Sequence, residues 1–188
     1  GHIGVIDHVL IPTLTLLIQH RSQEEITHED AEFVLDAVSE TVQQIAPAPA
    51  TLPAGPPRIA GLAVRTPADQ LVLEMLVAAL SPQGVEIVPE DLTPEQAIKC
   101  VLDKPPPLVC IAAISPPRGS EVRKYCRQLR AHTPSTKILV LRPTLTEDTT
   151  RAIERMKEAG ADCVVATTQA AIEAIAGLSE GRPIPGAR

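Results

Sequence analysis

The chain alternates short aliphatic runs with longer helix-forming stretches, five times over, between residues 58 and 178. The aliphatic runs cover 59–64, 85–88, 108–114, 137–141 and 163–166. A strand that is joined to the next strand through a helix runs parallel to it. The pattern therefore predicts an α/β domain with a five-stranded, doubly wound parallel sheet. The run at 108–114 is the most apolar, so we place it centrally, in the strand order 2-1-3-4-5.

Capping residues predict where the helices between these runs begin. Thr66 precedes a proline, which is a common first residue of a helix. Thr93 and Gln96 have the spacing of a capping box, in which each side chain bonds the backbone of the other residue. Ser120 and Thr146 are predicted to cap the helices that follow the third and fourth runs.

The N-terminal segment, 3–46, carries a separate helical pattern. It predicts one helix over about 5–20 and a second that begins after Thr27, with Asp30 as its partner in a variant of the capping box. Phe33 opens the series of apolar residues along the second helix. Two helices alone bury little apolar surface, so they must pack on the following domain, on a second copy or on upstream chain.

Proline-rich sequence separates this segment from the larger domain. Residues 47–57 contain five prolines in eleven positions, too many for a helix or a central strand. This stretch is therefore predicted to be a semi-rigid linker. The larger domain is expected to cover 58–180, and 181–188 is predicted to be a flexible tail.

Composition and charge argue against several classes of protein. Aromatic residues make up 1% of the chain and the formal net charge is −6, which disfavours stacking on bases or binding to nucleic-acid phosphates. We find no uninterrupted apolar run of roughly 18 residues and no secretory pattern, and we therefore expect a cytoplasmic chain.

The cysteines lack zinc-site spacing and are expected to be buried, reduced thiols. They are Cys100, Cys110, Cys126 and Cys163.

Polar residues follow the predicted strands at the edge where doubly wound sheets bind ligands. These residues are Arg65, Thr66, Ser115, Arg118, Gly119, Ser120, Arg142 and Thr144. Guanidinium groups and helix N-termini both favour anions, so the set is predicted to form an anion-binding rim. In the alternative interpretation the arginines are solvated surface residues, some of them paired with Glu90 and Asp91.

Motifs for enzyme chemistry are missing from these strand ends. Gly61 lies inside the first run with no glycine-rich nucleotide fingerprint after it, and no phosphate-binding loop of the Walker type occurs. Arg65 and Ser115 stand where a phospho-acceptor domain has carboxylates. We predict that the chain is not an enzyme and holds no metal or cofactor.

The basic stretch at 122–132 is interpreted as a solvated helix face, or as a docking surface for an acidic partner or an anionic membrane.

The order of the parts resembles a known two-part domain. Residues 10–14 read Leu-Ile-Pro-Thr-Leu and 24–27 read Glu-Glu-Ile-Thr, ahead of a second helix, a linker and the five-strand domain. This resembles the helical cap and cobalamin-binding domain of methionine synthases, corrinoid proteins and light-responsive repressors, and it implies a flavodoxin-like fold. The family's Asp-x-His-x-x-Gly motif corresponds here to Thr66, Ala68 and Leu71. The comparison thus implies that the cobalt ligand and base-off cobalamin binding are lost.

The stretch at 6–14 is also similar to the soluble C-terminal tail of permeases of the autoinducer-two exporter family. It reads Ile-Asp-His-Val-Leu-Ile-Pro-Thr-Leu, and the aliphatic runs at 108–111 and 137–140 fit that pattern too. The Gly1-His2 start agrees with a piece cut from a larger membrane protein.

Together these features predict a non-enzymatic, cytosolic regulatory or interaction domain of a bacterial transporter, tethered to the inner membrane in the full-length protein. Its expected partners are a small anionic ligand and the upstream membrane domain, without nucleic acid. Two alternatives stay open. One is a cobalamin-binding carrier or sensor, and the other is a homo-oligomerisation module that dimerises through the N-terminal helices.

Overall fold

A five-stranded parallel sheet forms the centre of the structure. The computed structural model describes residues 2–45, 59–80, 85–88, 92–114, 119–143 and 149–179. The strands are β1 (Ile59–Ala63), β2 (Val85–Ile87), β3 (Leu108–Ala112), β4 (Lys137–Leu141) and β5 (Cys163–Val165). Their order is β2-β1-β3-β4-β5, so the predicted fold class and strand order are confirmed.

Helices cover both faces of this sheet. They are α1 (His2–Val5), α2 (Ile11–Ser22), α3 (His28–Ile45), α4 (Pro67–Leu80), α5 (Pro94–Asp103), α6 (Gly119–His132), α7 (Thr149–Glu158) and α8 (Thr168–Ser179). Alternate residues of a strand point to opposite faces. Val109 and Ile111 of β3 accordingly join the core formed with α5, α6 and α7. Cys110 and Ala112 join the core formed with α4 and α8.

The helix boundaries agree with some of the predicted caps and not with others. The capping box of α5 is present, with the Thr93 side chain accepting from the backbone N of Gln96. Ser120 is not a cap, because α6 already begins at Gly119 and Ser120 lies in its first turn. Thr146 lies outside the described residues. The chain leaves α7 through Gly160, whose φ of +113° is a conformation that favours glycine.

The N-terminal segment forms the two predicted helices. The first runs without interruption over His2–Ser22, and its middle, Ile6–Leu10, is a π-helical turn between α1 and α2. The second, α3, begins after Thr27, whose hydroxyl oxygen accepts a 3.1 Å hydrogen bond from the backbone N of Asp30. The predicted linker and C-terminal tail lie outside the part of the chain that the structure describes.

The two N-terminal helices, His2–Ser22 and α3, are called the helical pair, and they pack on α4 and α8 of the larger domain, the first of the three packing partners that the sequence predicted. Leu10 and Leu14 join the same core as Met75 of α4 and Ile175 of α8. Buried α4 residues therefore contact both the sheet and the helical pair, which explains why α4 is apolar over most of its circumference.

Phe33 does not belong to the buried face of α3, contrary to the sequence-based expectation. Its side chain is 75% exposed. The buried residues of α3 are Ala31, Val38 and Val42, which are seven and four residues apart and so share one stripe of the helix. Phe33 is two residues beyond Ala31, about 200° around the helix, and therefore points away from the core.

The N-terminal helix is also long and apolar enough to cross a membrane, by length and composition alone. It spans the 21 residues His2–Ser22 and meets that criterion even though polar residues interrupt it. This is weak evidence for a membrane span, because the core helix of a soluble protein passes the same test.

Candidate functional site

The structure describes five of the eight residues predicted for the anion-binding rim: Arg65, Thr66, Gly119, Ser120 and Arg142. All five follow β1, β3 or β4 at the carboxyl edge of the sheet. The other three, Ser115, Arg118 and Thr144, lie outside the described residues. Helix α6 provides a neighbour for each of the two arginines: Glu121 for Arg65 and Arg123 for Arg142.

On the β4 side of α6, two guanidinium groups border one small space. Arg142 follows β4 and is only 9% exposed. The position that a Cβ atom would take on Gly119 lies 3.3 Å from Nη1 of Arg142 and 3.3 Å from Nη1 of Arg123. The absence of a side chain at Gly119 therefore keeps this space open. We call Gly119, Arg123 and Arg142 the arginine site.

The electrostatics of the arginine site favour an anion. Burial lowers the pKa of Arg142, and the nearby positive charge of Arg123 lowers it further. Both effects oppose the protonated form, and an anion placed between the two groups would offset both. The first turn of α6 adds backbone N–H groups and the positive end of the helix dipole. Arg123 was not predicted as a site residue, because the sequence pattern places it on a solvated basic face of the helix.

On the β1 side of α6, Arg65 has a different partner. Its Nη1 donates to Glu121 Oε1 over 2.9 Å, and the Arg65 side chain is 62% exposed. Among the described contacts, Arg65 therefore pairs with Glu121, whereas Arg142 lies near Arg123. The pairings that the sequence suggested with Glu90 and Asp91 involve residues outside those described.

Asp69 positions the loop between β1 and α4. Its side chain is fully buried. Oδ2 accepts from the backbone N of Arg65 at 3.1 Å and of Thr66 at 3.0 Å, and Oδ1 accepts from the backbone N of Ile114 at 2.7 Å. One carboxylate thus ties the end of β1 to the residues after β3. The Thr66–Asp69 spacing of a capping box was the available signal.

A cavity of about 230 Å³ lies between α5 and α6, next to Arg65. Its walls come from the ends of β1 and β2 and from both helices. The lining residues are Leu62, Ala63, Val64, Arg65, Thr66, Val88, Leu92, Thr93, Pro94, Ala97 and Tyr125. Tyr125 is the one tyrosine of the chain and was not predicted as a site residue.

The N-terminal helix reaches the same edge of the sheet at β5. Asp7, in the π-helical turn, accepts hydrogen bonds from the backbone N of Thr168 at 2.8 Å and of Gln169 at 3.0 Å. These are the first two residues of α8, so Asp7 satisfies two of its N-terminal donors. β5 is in turn linked to Arg142, whose backbone N donates to Val165 O over 2.8 Å.

The described residues offer little for metal or thiol chemistry. No group of three or more His, Cys, Asp or Glu side chains among them could hold a metal ion. Burial raises the pKa of the Cys110 and Cys126 thiols to about 12, and it also raises that of Cys163. Cys100 is exposed, so the expectation that all four cysteines are buried is wrong for this residue of α5.

Leu71, which the resemblance aligns with a glycine of the cobalamin family, is a core side chain. Leu71 is 6% exposed and belongs to the core between the sheet, α4 and α8. In comparisons with known proteins, no protein-family model matches the chain and no curated protein matches it significantly.

Proposed function

We propose that this chain is a non-enzymatic regulatory domain that binds a small oxyanion, such as a phosphate group, at the arginine site. The observation that carries the proposal is the approach of Arg123 and Arg142 to one space beside Gly119. Two like charges repel each other, and one of them sits on a side chain that is 9% exposed. An anion between the two guanidinium groups would reduce this repulsion and accept charge-assisted hydrogen bonds from both.

The helical pair is the part of the domain that we propose responds to ligand binding. A hydrogen bond joins the backbone of Arg142 to Val165 at the end of β5. Three residues further along the chain, Thr168 donates to Asp7 of the N-terminal helix. A ligand that moves the backbone at Arg142 would therefore change how tightly the N-terminal helix packs on α8. The two hydrogen bonds and the chain between them form a contiguous path from Arg142 to the N-terminal helix. Hydrogen exchange at the Thr168 amide can measure whether ligand binding is coupled along this path.

The wider context of the proposal comes from the resemblance. In the tails of autoinducer-two exporter permeases, a comparable helical stretch precedes a cobalamin-domain fold that lacks the cobalt ligand. By that analogy the helical pair would connect a cytoplasmic sensor domain to the membrane portion of a bacterial transporter. The buried Leu71 supports an anion rather than base-off cobalamin as the ligand.

Thermal unfolding with added ligands tests the proposal. The panel contains inorganic phosphate, sulfate, nucleotides, phosphorylated metabolites and cobalamins. A ligand at one hundred times its dissociation constant should stabilise the protein by about 2.7 kcal/mol, a clear rise in melting temperature. Arg142→Gln with Arg123→Gln should abolish the rise, while Arg127→Gln, on an exposed residue of α6, should preserve it. A shift with cobalamin alone, or a shift that survives the double substitution, would contradict the arginine site.

Hydrogen exchange tests the coupling. The backbone amides of Thr168 and Gln169 are protected by Asp7. Saturating phosphate should change their exchange rates several-fold in the wild type and leave them unchanged in the double arginine variant. If phosphate binds and both amides exchange as before, the helical pair is not the output.

A second candidate function, homo-oligomerisation, is favoured by the outer surface of the N-terminal helix. Val9 and Leu16 are 54% and 53% exposed, and their separation by seven residues puts them on one side of the helix. In this alternative, two copies pair these surfaces. Light scattering would then find a dimer that Val9→Glu with Leu16→Glu converts to a monomer, whereas Gln19→Glu would leave it intact. A monomeric wild type would exclude the alternative.

A further inference from the structure

We propose that the cavity between α5 and α6 is a second ligand site, separate from the arginine site, and that it takes a small carboxylic acid with an apolar body. Arg65 would hold the carboxylate at the mouth, and the hydrocarbon part would fill the interior. The proposal does not depend on the proposed function, because the two sites lie on opposite sides of α6 and share no residue.

The apolar walls of the cavity define the body of the ligand. Val88, Ala97 and Tyr125 are all buried and line it. The volume of about 230 Å³ is below the ~300–1,000 Å³ that is usual for drug-sized ligands. The cavity is therefore too small for a nucleotide or a corrinoid, and it suits a branched, cyclic or short-chain hydrocarbon group.

The polar groups of the cavity define the other end of the ligand. Of the lining residues that the structure describes, Arg65 is the one with a formal charge. Thr66 and Thr93 contribute hydroxyl groups that cap α4 and α5. Tyr125 stays protonated, because burial and then the charges of Glu121 and Glu95 raise its pKa. A cation would meet Arg65, and a neutral hydrocarbon would leave these groups unmatched, so the lining favours an anion of mixed character.

The present partner of Arg65 is easily exchanged. The ion pair of Arg65 with Glu121 joins side chains that are 62% and 33% exposed. Because the pair is partly exposed, water screens it and it contributes little to stability. A ligand carboxylate can therefore replace Glu121 on the guanidinium at little cost. It follows that Glu121 competes with the ligand and that removing its charge should strengthen binding.

The hydroxyl of Tyr125 is a further contact for a ligand. It donates to the backbone oxygen of Val64 over 3.5 Å, the long limit of a hydrogen bond. A bond this long contributes little, so the hydroxyl can turn to a ligand oxygen when the cavity fills. The ring also provides a built-in probe, because the chain contains one tyrosine and no tryptophan.

Tyrosine emission of the full chain, titrated with cyclohexanecarboxylate and hexanoate, tests this site. Neither acid absorbs where tyrosine is excited. We expect a saturable change in emission with both acids and none with hexylamine at equal concentration. Inorganic phosphate, the probe for the arginine site, should leave the emission unchanged. Failure of one site can thus be distinguished from failure of the other.

Substitutions of the two partners of this ion pair should change the affinity in opposite directions. Arg65→Gln should weaken acid binding about tenfold, and Glu121→Gln should strengthen it severalfold. Ala97→Leu, which fills the cavity, should abolish binding, with the melting temperature measured to verify that the variant folds. No saturable change in the wild type would overturn the proposal. So would equal affinities of the wild type, Arg65→Gln and Glu121→Gln.

Discussion

The carboxylate of Asp7 accepts a 2.8 Å hydrogen bond from the backbone N of Thr168, a residue 161 positions further along the chain. The contact joins the π-helical turn of the N-terminal helix to the first turn of α8. π-helical turns inside α-helices frequently occur at functional sites. Here the wider turn is the part of the helix that carries the docking carboxylate.

Replacing Asp7 by asparagine should weaken the docking of the N-terminal helix. Asparagine keeps one acceptor oxygen but loses the second and the negative charge that favours the N-terminus of α8. We expect a loss of about 1 kcal/mol in the free energy of unfolding in urea. Exchange of the Thr168 and Gln169 amides should accelerate. Asp36→Asn, on the exposed surface of α3, is the matched control and should change neither quantity.

Replacing Asp69 by alanine should be far more damaging. The substitution leaves the backbone N–H groups of Arg65, Thr66 and Ile114 without the acceptor they now share. An unsatisfied buried donor costs about 1–3 kcal/mol, and because the Ile114 donor is buried and the other two are only partly so, the expected total loss is about 3–5 kcal/mol. Thr66→Ala removes one capping acceptor and should cost about 1 kcal/mol. Urea unfolding compares the two, and equal losses would contradict the linking role assigned to Asp69.

Replacing Gly119 by alanine should separate anion binding from stability. The new methyl group would lie 3.3 Å from Nη1 of both Arg123 and Arg142 and would occupy the space between them. Because both contacts are at the ends of flexible side chains and alanine is a better helix former, the melting temperature should not fall. The stabilisation by phosphate should be lost. A Gly119→Ala variant that phosphate stabilises as well as the wild type would show that the anion does not bind at Gly119.

Much of the fold could be predicted because its signals are local. Each strand is a short aliphatic run, and the most apolar run became β3, which is buried throughout. The caps at Thr27, Thr66 and Thr93 were recognisable from spacing alone. Ser120 was misplaced because a one-residue shift in the start of α6 changes a cap into a first-turn residue.

The candidate sites were predicted less well because they depend on contacts between distant residues. Arg142 was assigned to the correct edge of the sheet, but its neighbour Arg123 lies on α6, the helix before β4, and looked like one member of a basic face. No local pattern places Glu121 beside Arg65, because the two residues are far apart along the chain. Phe33 and Cys100 show a related error, since an apolar residue on a helix need not face the core.

The buried thiols should make the protein lose stability above pH 9. Cys110 and Cys126 have pKa values of about 12 in the folded chain, against 9.0 for an ordinary thiol. Because the folded pKa is raised, the stability contribution is complete below pH 9 and is lost as the pH rises toward 12. The unfolded chain gains about 1 kcal/mol per thiol at pH 10. Tyr125, whose pKa is also raised, acts in the same direction.

Urea unfolding at pH 8 and pH 10 measures this loss. Cys110→Ala should reduce the difference between the two pH values by about 1 kcal/mol, whatever its effect on stability at pH 8. Cys100→Ser is the control, because this thiol is exposed and its replacement should leave the difference unchanged. A Cys110→Ala protein that loses as much stability as the wild type between the two pH values would contradict a buried, protonated Cys110.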